Sequence, residues 1–217
     1  MRTLETLNGN PLADHAFERY NAIKRLSFEH ENANLFGNPI VFFGDSITDF
    51  CDLKKYYPDI FAVNRGIAGN TISDLIHRID GSLFFSRPSK IVLLIGTNDI
   101  LNTDKTVSQT AEVYEELLKR IREGCPKVPV IIQSVYPGFD TPHFQFHSSY
   151  AEREDRIVEL NEKIRALAEK YNYTYVDVYS QLLEHGTKSM DRAYSFDGCH
   201  PNDAGYQVIA GVIRPYL

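Results

Sequence analysis

A serine, a histidine and an aspartate can together transfer an acyl group, and this chain sets one of each beside a turn. Ser46 follows Pro39, Ile40, Val41, Phe42 and Phe43 through Gly44 and Asp45. A short apolar run closed by glycine and small polar residues reads as a strand covered on both faces. A serine hydroxyl becomes a nucleophile only when a base takes its proton. His200 has the right side chain, because an imidazole titrates near neutrality and can accept a proton and then return it. Asp197 stands three residues ahead of it. On one tight turn its carboxylate can accept from Nδ1–H, direct Nε2 toward the serine and stabilise the imidazolium. Each residue also has a plainer reading. Ser46 fits a helix cap, His200 a surface histidine, and Asp197 a cap of the C-terminal helix.

Ester hydrolysis also needs donors for the negative oxygen of the tetrahedral intermediate. The backbone amide of Ser46 is one candidate. Gly69, after a strand and before a helix, is a second, since a glycine there can present its N–H to a ligand. Asn98, just past a third strand, offers a side-chain amide. A turn glycine and a turn or cap asparagine are the plainer alternatives. Asp45 reads equally as a residue that orders the serine turn through nearby amides and as an ordinary turn aspartate.

Other groups carry less. His143 and His147 are four apart, as in helical zinc sites, but the metalloprotease glutamate is missing and Gly138 and Pro142 argue for a loop. No metal and no cofactor are expected. Phe139, Phe144, Phe146 and Tyr150 in the loop 137–150 suit either a substrate wall or a packed surface loop. Cys199, beside His200, has a redox or thiol role as one reading and a small space-filling residue as the plainer one. Asp177 and the tyrosines of 171–179 read as strand and core positions.

The elements that must position these groups alternate. A helix over 11–35 is expected from Ala13, Phe17, Tyr20 and Ile23 at helical spacing, with Pro11 near its start. It precedes the first strand, 39–44, and is placed against the sheet or beside the site. A short helix follows at 49–57, then a strand at 60–64, a loop at 65–69 and a helix at 71–79 capped by Asn70 or Thr71. A third strand spans 90–96 and a helix 106–123. A fourth strand covers 128–135, a helix 152–170 and a fifth strand 173–178. Pro201 opens a last helix. Strands alternating with helices imply βαβ units and an all-parallel sheet. The expected order is 2-1-3-4-5, with ligands at the carboxyl ends of the strands.

The 217 residues suffice for one full core, and no linker-like stretch divides them, so a single domain over 1–217 is expected. A net charge of −6 argues against a general nucleic-acid surface, which needs a basic face. No apolar run approaches a membrane span of about 20 residues, and the first 15 residues lack the apolar core of a signal peptide. Cys51, Cys125 and Cys199 form an odd, scattered set that suggests a reducing compartment. The expectation is a cytoplasmic protein without membrane insertion or nucleic-acid partner. Its oligomeric state is left open, a homo-oligomer included.

Four segments together carry a resemblance. They are Gly-Asp-Ser-Ile at 44–47, Asn-Arg-Gly-Ile-Ala-Gly-Asn at 64–70, Gly-Thr-Asn-Asp at 96–99 and Asp-x-x-His-Pro at 197–201. In this order they resemble the four blocks of the SGNH, or GDSL-type, hydrolase superfamily, with Ile47 where the family name has leucine. Within it the chain most resembles small bacterial enzymes similar to platelet-activating-factor acetylhydrolase subunits and lysophospholipase-like esterases. The resemblance implies a three-layer α/β/α, flavodoxin-like fold. It implies Ser46 as nucleophile, Asp197 and His200 as its triad partners, and the Ser46 amide, Gly69 and Asn98 as the oxyanion hole. The function expected is a serine esterase acting on short-chain acyl esters, acetyl groups on a carbohydrate among them, with a small-molecule ester as partner. A lysophospholipase or thioesterase for longer acyl chains is the alternative. A flavodoxin-like binding module is the non-enzymatic one, weakened by the two carboxylates of Asp45 and Asp49 and by the lack of a phosphate-binding glycine motif.

Overall fold

The computed structural model of the protein describes residues 11–141 and 150–217. Five parallel strands form its centre: β1 (Ile40–Gly44), β2 (Ala62–Gly66), β3 (Lys90–Leu94), β4 (Val130–Gln133) and β5 (Thr174–Val176). Their order is β2-β1-β3-β4-β5, as the alternation of elements predicts.

Helices cover both faces, so the central strands β1, β3 and β4 carry apolar residues on both faces rather than alternating. Val41, Phe43, Ile91, Leu93 and Ile132 point to one face. They meet α4 (Ile72–His77), α7 (Val107–Gly124) and α8 (Tyr150–Tyr171) through Leu75, Leu118, Ile121, Leu160 and Ile164. Phe42, Val92, Leu94, Ile131 and Val176 point to the other face, against Tyr206, Ile209 and Ile213 of α9 (Asp203–Ile213). Each such side chain stabilises the fold by about 1.5–3 kcal/mol when fully buried. The result is a three-layer α/β/α sandwich. Four short helices complete it: α2 (Ser46–Asp49), α3 (Leu53–Tyr56), α5 (Ile79–Ser82) and α6 (Thr97–Asn102).

The first helix, α1 (Pro11–Ala33), lies beside β2. The fully buried Arg65 of β2 reaches it, donating to Glu31 at 2.6 Å and to Asn32 at 2.8 Å, with the Phe28 ring 4.8 Å from the guanidinium.

Register is what places the site. Gly44 pairs with Gly66 on one side and Leu94 on the other. Ser46, Gly69 and Asn98 therefore leave three adjacent strands at the same carboxyl edge. The chain departs from β1 to β2 on one side and to β3 on the other, which opens a crevice there.

Some boundaries differ from the sequence expectation. β2 begins and ends two residues later than 60–64, because Arg65 and Gly66 pair with Phe43 and Gly44 and extend the ladder. Pro201 does not open the last helix: it forms a bridge with Ser195, and Asn202 caps α9 by accepting from the Gly205 amide at 3.1 Å. Asp177 lies beyond β5 and is exposed, accepting from Ser180 instead of sitting in the sheet. Ile23 is exposed on α1, whereas Phe17 and Tyr20 of the same expected stripe are partly buried. His143, Phe144, Phe146 and His147 lie outside the described residues.

Candidate active site

Ser46 is the first residue of α2 and is almost fully buried. Asp45 before it is the helix cap, and its Oδ1 accepts from the Ile47 amide at 3.0 Å. Of the two readings of Asp45, the structure shows the one that orders the serine turn. Asp45 is fully buried, and that burial pushes its carboxyl up to about 7, against the pull of the Ile47 amide and of His200. α2 is fastened from two sides. Tyr206 of α9 donates to the Ile47 carbonyl at 2.7 Å, and Asn64 of β2 donates to the Thr48 carbonyl at 2.6 Å.

The turn 195–200 brings in the other two groups. His200 Nε2 lies 2.9 Å from Ser46 Oγ, and His200 Nδ1 lies 2.7 Å from Asp197 Oδ2. The second carboxylate oxygen, Oδ1, accepts from the amides of Cys199 and His200 at 2.9 and 2.8 Å. Burial by itself raises the Asp197 carboxyl. The His200 ring and the two amides outweigh it and hold that carboxyl well below its usual range. The turn depends on Gly198, which has φ +83°. A Cβ there would stand 2.1 Å from the Phe139 carbonyl oxygen, while the Phe139 amide donates to the Gly198 carbonyl at 2.9 Å.

Facing Ser46 are the segments after β2 and β3. The Asn70 amide donates to the Ile67 carbonyl at 3.2 Å, closing a tight turn with Gly69 at φ +74°. Asn98, on the first turn of α6, donates through Nδ2 to the Asn70 carbonyl at 3.0 Å and accepts from Asn102. That bond ties the Asn98 amide group to the loop carrying Gly69. Arg78 holds the same loop from behind. It donates to Asn70 Oδ1 at 2.7 Å and to the Gly44 carbonyl at 2.8 Å, with the Phe43 ring 4.8 Å away.

Sequence reasoning left out Arg78, Tyr206 and Ser195, whose Oγ accepts from the Gly198 amide at 3.0 Å. One signal for Arg78 existed: it stands three residues after the buried Leu75, at the C-terminal cap of α4, where a buried cation needs a reason. Cys199 lines a narrow pocket beside the site, where burial pushes its thiol up to about 12. It is a neutral wall, in keeping with a space-filling role.

An open parallel α/β sheet with a serine, a histidine and a carboxylate chained by hydrogen bonds at its carboxyl edge is the architecture of a serine hydrolase. Residues 42–208 match the GDSL-like Lipase/Acylhydrolase family, and the chain belongs to it. It is a carboxylic ester hydrolase. The chain is 26% identical over 206 residues to an acetylxylan esterase of Geobacillus stearothermophilus, covering 80% of this chain and 91% of that one. It is 21% identical over 183 residues to the platelet-activating factor acetylhydrolase IB subunit alpha1 of Rattus norvegicus, covering 82% and 74%. A solved structure from Streptococcus pneumonia, whose description names platelet activating factor, superposes with a TM-score of 0.86 at 25% identity and covers 99% of each chain. Among the described residues no helix is long and apolar enough to cross a membrane.

Proposed function

We propose that the protein hydrolyses short-chain acyl esters, acetyl esters foremost, through an acyl-enzyme on Ser46. The observation that carries this is the chain Ser46 Oγ, His200 Nε2, His200 Nδ1, Asp197 Oδ2, with links of 2.9 and 2.7 Å. His200 takes the serine proton as Oγ attacks the ester carbonyl. The oxyanion is received by the Ser46 amide, the Gly69 amide and the Asn98 side chain. His200 then gives its proton to the departing alcohol. A water activated by the same imidazole cleaves the acyl-enzyme and restores the serine. No step calls for a cofactor.

The pocket next to the nucleophile supports a short acyl group. Its walls, among the described residues, include Ile47, Thr97, Leu101, Tyr136, Phe139 and Cys199. Three of these are chain neighbours of Ser46, Asn98 and His200. The pocket is narrow and its walls are mostly apolar, which suits a short acyl group. The names of two relatives, an acetylxylan esterase and an acetylhydrolase, also point to acetyl esters, and the first favours an O-acetylated carbohydrate as the substrate class.

A series of nitrophenyl esters at monomeric concentrations tests this, with Ser46→Ala as the control. We expect kcat/KM for acetate or butyrate to exceed that for dodecanoate by about tenfold or more, which needs ~1.4 kcal/mol. A maximum at ten carbons or beyond favours the lysophospholipase or thioesterase reading. Near-wild-type turnover by folded Ser46→Ala removes the mechanism altogether.

A further inference from the structure

We propose that α1 fixes the conformation of the loop carrying Gly69, with Asp49 as the positioning residue between them. The proposal rests on the reading of Gly69 as an oxyanion donor. The bond from the Asn70 amide to the Ile67 carbonyl, with Gly69 at φ +74°, defines a type II turn over Ile67, Ala68, Gly69 and Asn70. A type I turn over the same four residues differs chiefly by reversal of the central peptide, Ala68–Gly69. Glycine accepts either form. Reversal swings the Gly69 N–H to the opposite side of the loop. The turn sequence alone therefore does not decide where that N–H points.

Packing from outside the loop constrains it. The Ala68 amide, in the peptide just before the one that reverses, donates to Asp49 Oδ2 at 2.9 Å and anchors the first corner of the turn. Asp49 is the last residue of α2, the short helix that begins with Ser46, and its side chain is only 4% exposed. The nucleophile and the loop are thus referenced to one rigid element. Asp49 is fixed in turn by α1, from which Lys24 reaches Oδ1 at 2.7 Å and Tyr20 donates to Oδ2. The same helix touches the loop directly. The ring of Phe17 lies where a Gly69 Cβ would be, 2.3 Å from that position, and Asn21 accepts from the Asn70 side chain at 2.9 Å. Phe17, Tyr20, Asn21 and Lys24 are spaced i, i+3, i+4 and i+7, one face of a helix. That face is the inward stripe of α1. It lies ahead of residues 42–208, which match the family, so the device is assigned by this chain's own contacts.

The experiment is the double variant Tyr20→Phe/Lys24→Met, which removes both links to Asp49 and keeps the ring and the aliphatic stem. Lys24→Arg serves as the conservative rescue. We expect kcat to fall about ten- to hundredfold, as for a reacting group misplaced by about an ångström, with KM within about twofold. We also expect the Gly69 amide nitrogen to show microsecond-to-millisecond exchange by relaxation dispersion that the wild type lacks. Lys24→Arg should retain most activity. A folded double variant with neither change in kcat nor exchange at Gly69 overturns the assignment of α1. Exchange at Gly69 with kcat unchanged instead overturns Gly69 as a donor, the reading on which the proposal stands. Should the double variant fail to fold, Lys24→Met alone removes the outermost link and is read in the same way.

Discussion

Asp197 meets His200 twice, accepting from the ring nitrogen Nδ1 through one oxygen and from the backbone amide of the same residue through the other. A carboxylate that holds both ends of its partner fixes the imidazole's tilt as well as its tautomer. The three-residue spacing makes this possible, because one turn brings side chain and backbone to the same carboxylate.

Asp197→Asn tests that arrangement. The amide oxygen can still accept from the Cys199 and His200 amides, so the turn should survive. Its NH₂ then faces Nδ1, which must become the acceptor, and the ring proton moves to Nε2. An Nε2–H cannot take the Ser46 proton. We expect kcat to fall by about 10²–10⁴ with the melting temperature nearly unchanged. Single-turnover acylation at several pH values is the measurement. Retained acylation would mean that the carboxylate is only structural.

The chemistry-bearing segments were legible in the sequence because each is local: a strand, its closing glycine and the polar residues just beyond it. Parallel pairing then sets the Ser46, Gly69 and Asn98 segments side by side without further information. The supports were not legible. Tyr206 reaches Ile47 across 159 positions, and Lys24 reaches Asp49 across 25, and no spacing rule announces either contact. The end of β2 was missed for a related reason. Arg65 and Gly66 interrupt the apolar run and read as the start of the loop, but they pair directly with Phe43 and Gly44, and tertiary pairing overrides propensity there.

Asn98→Ala should lower kcat by roughly 10²–10³ if its amide group receives the developing oxyanion. KM should change far less, since ground-state substrate carries little of that charge. The variant also loses the bond to the Asn70 carbonyl, so Asn98→Asp is a useful companion. It keeps the shape but replaces donors with a negative charge, and should be at least as impaired. Steady-state kinetics on a nitrophenyl acetate decide the matter. A raised KM with unchanged kcat would reassign Asn98 to substrate binding.

Asp45 gives a pH-dependent prediction. Its carboxyl titrates near 3.8 when unfolded and is raised to about 7 by burial in the folded protein. Between those values the unfolded chain sheds a proton that the folded one keeps. Stability from this group is complete below the window, falls as pH rises through it and is lost above it. Asp45→Asn retains an oxygen for the Ile47 amide and carries no such proton. Relative to wild type, the variant should therefore gain about 1 kcal/mol or more between pH 4 and pH 7.5. Urea melts at those two values measure it. A difference that does not vary with pH would show that Asp45 does not hold its proton in the folded state.

Leu101→Ala addresses acyl length. Leu101 closes the pocket beside Ile47 from α6, and it is only half-buried. Its truncation should therefore cost less than the roughly 2–5 kcal/mol typical of core leucines. If the acyl group enters this narrow pocket, a longer chain must displace a wall. Removing three carbons from that wall makes room for two or three methylenes of substrate. Each buried methylene contributes up to ~0.8 kcal/mol, so ~1.4 kcal/mol, or tenfold in rate, is within reach. We expect the ratio of kcat/KM for hexanoate to that for acetate to rise at least about tenfold, with acetate turnover itself changed little because the reacting groups are untouched. The check is the ratio measured with both esters at equal enzyme concentration. A ratio unchanged in a folded Leu101→Ala protein would place the acyl chain elsewhere and leave this pocket without a part in specificity.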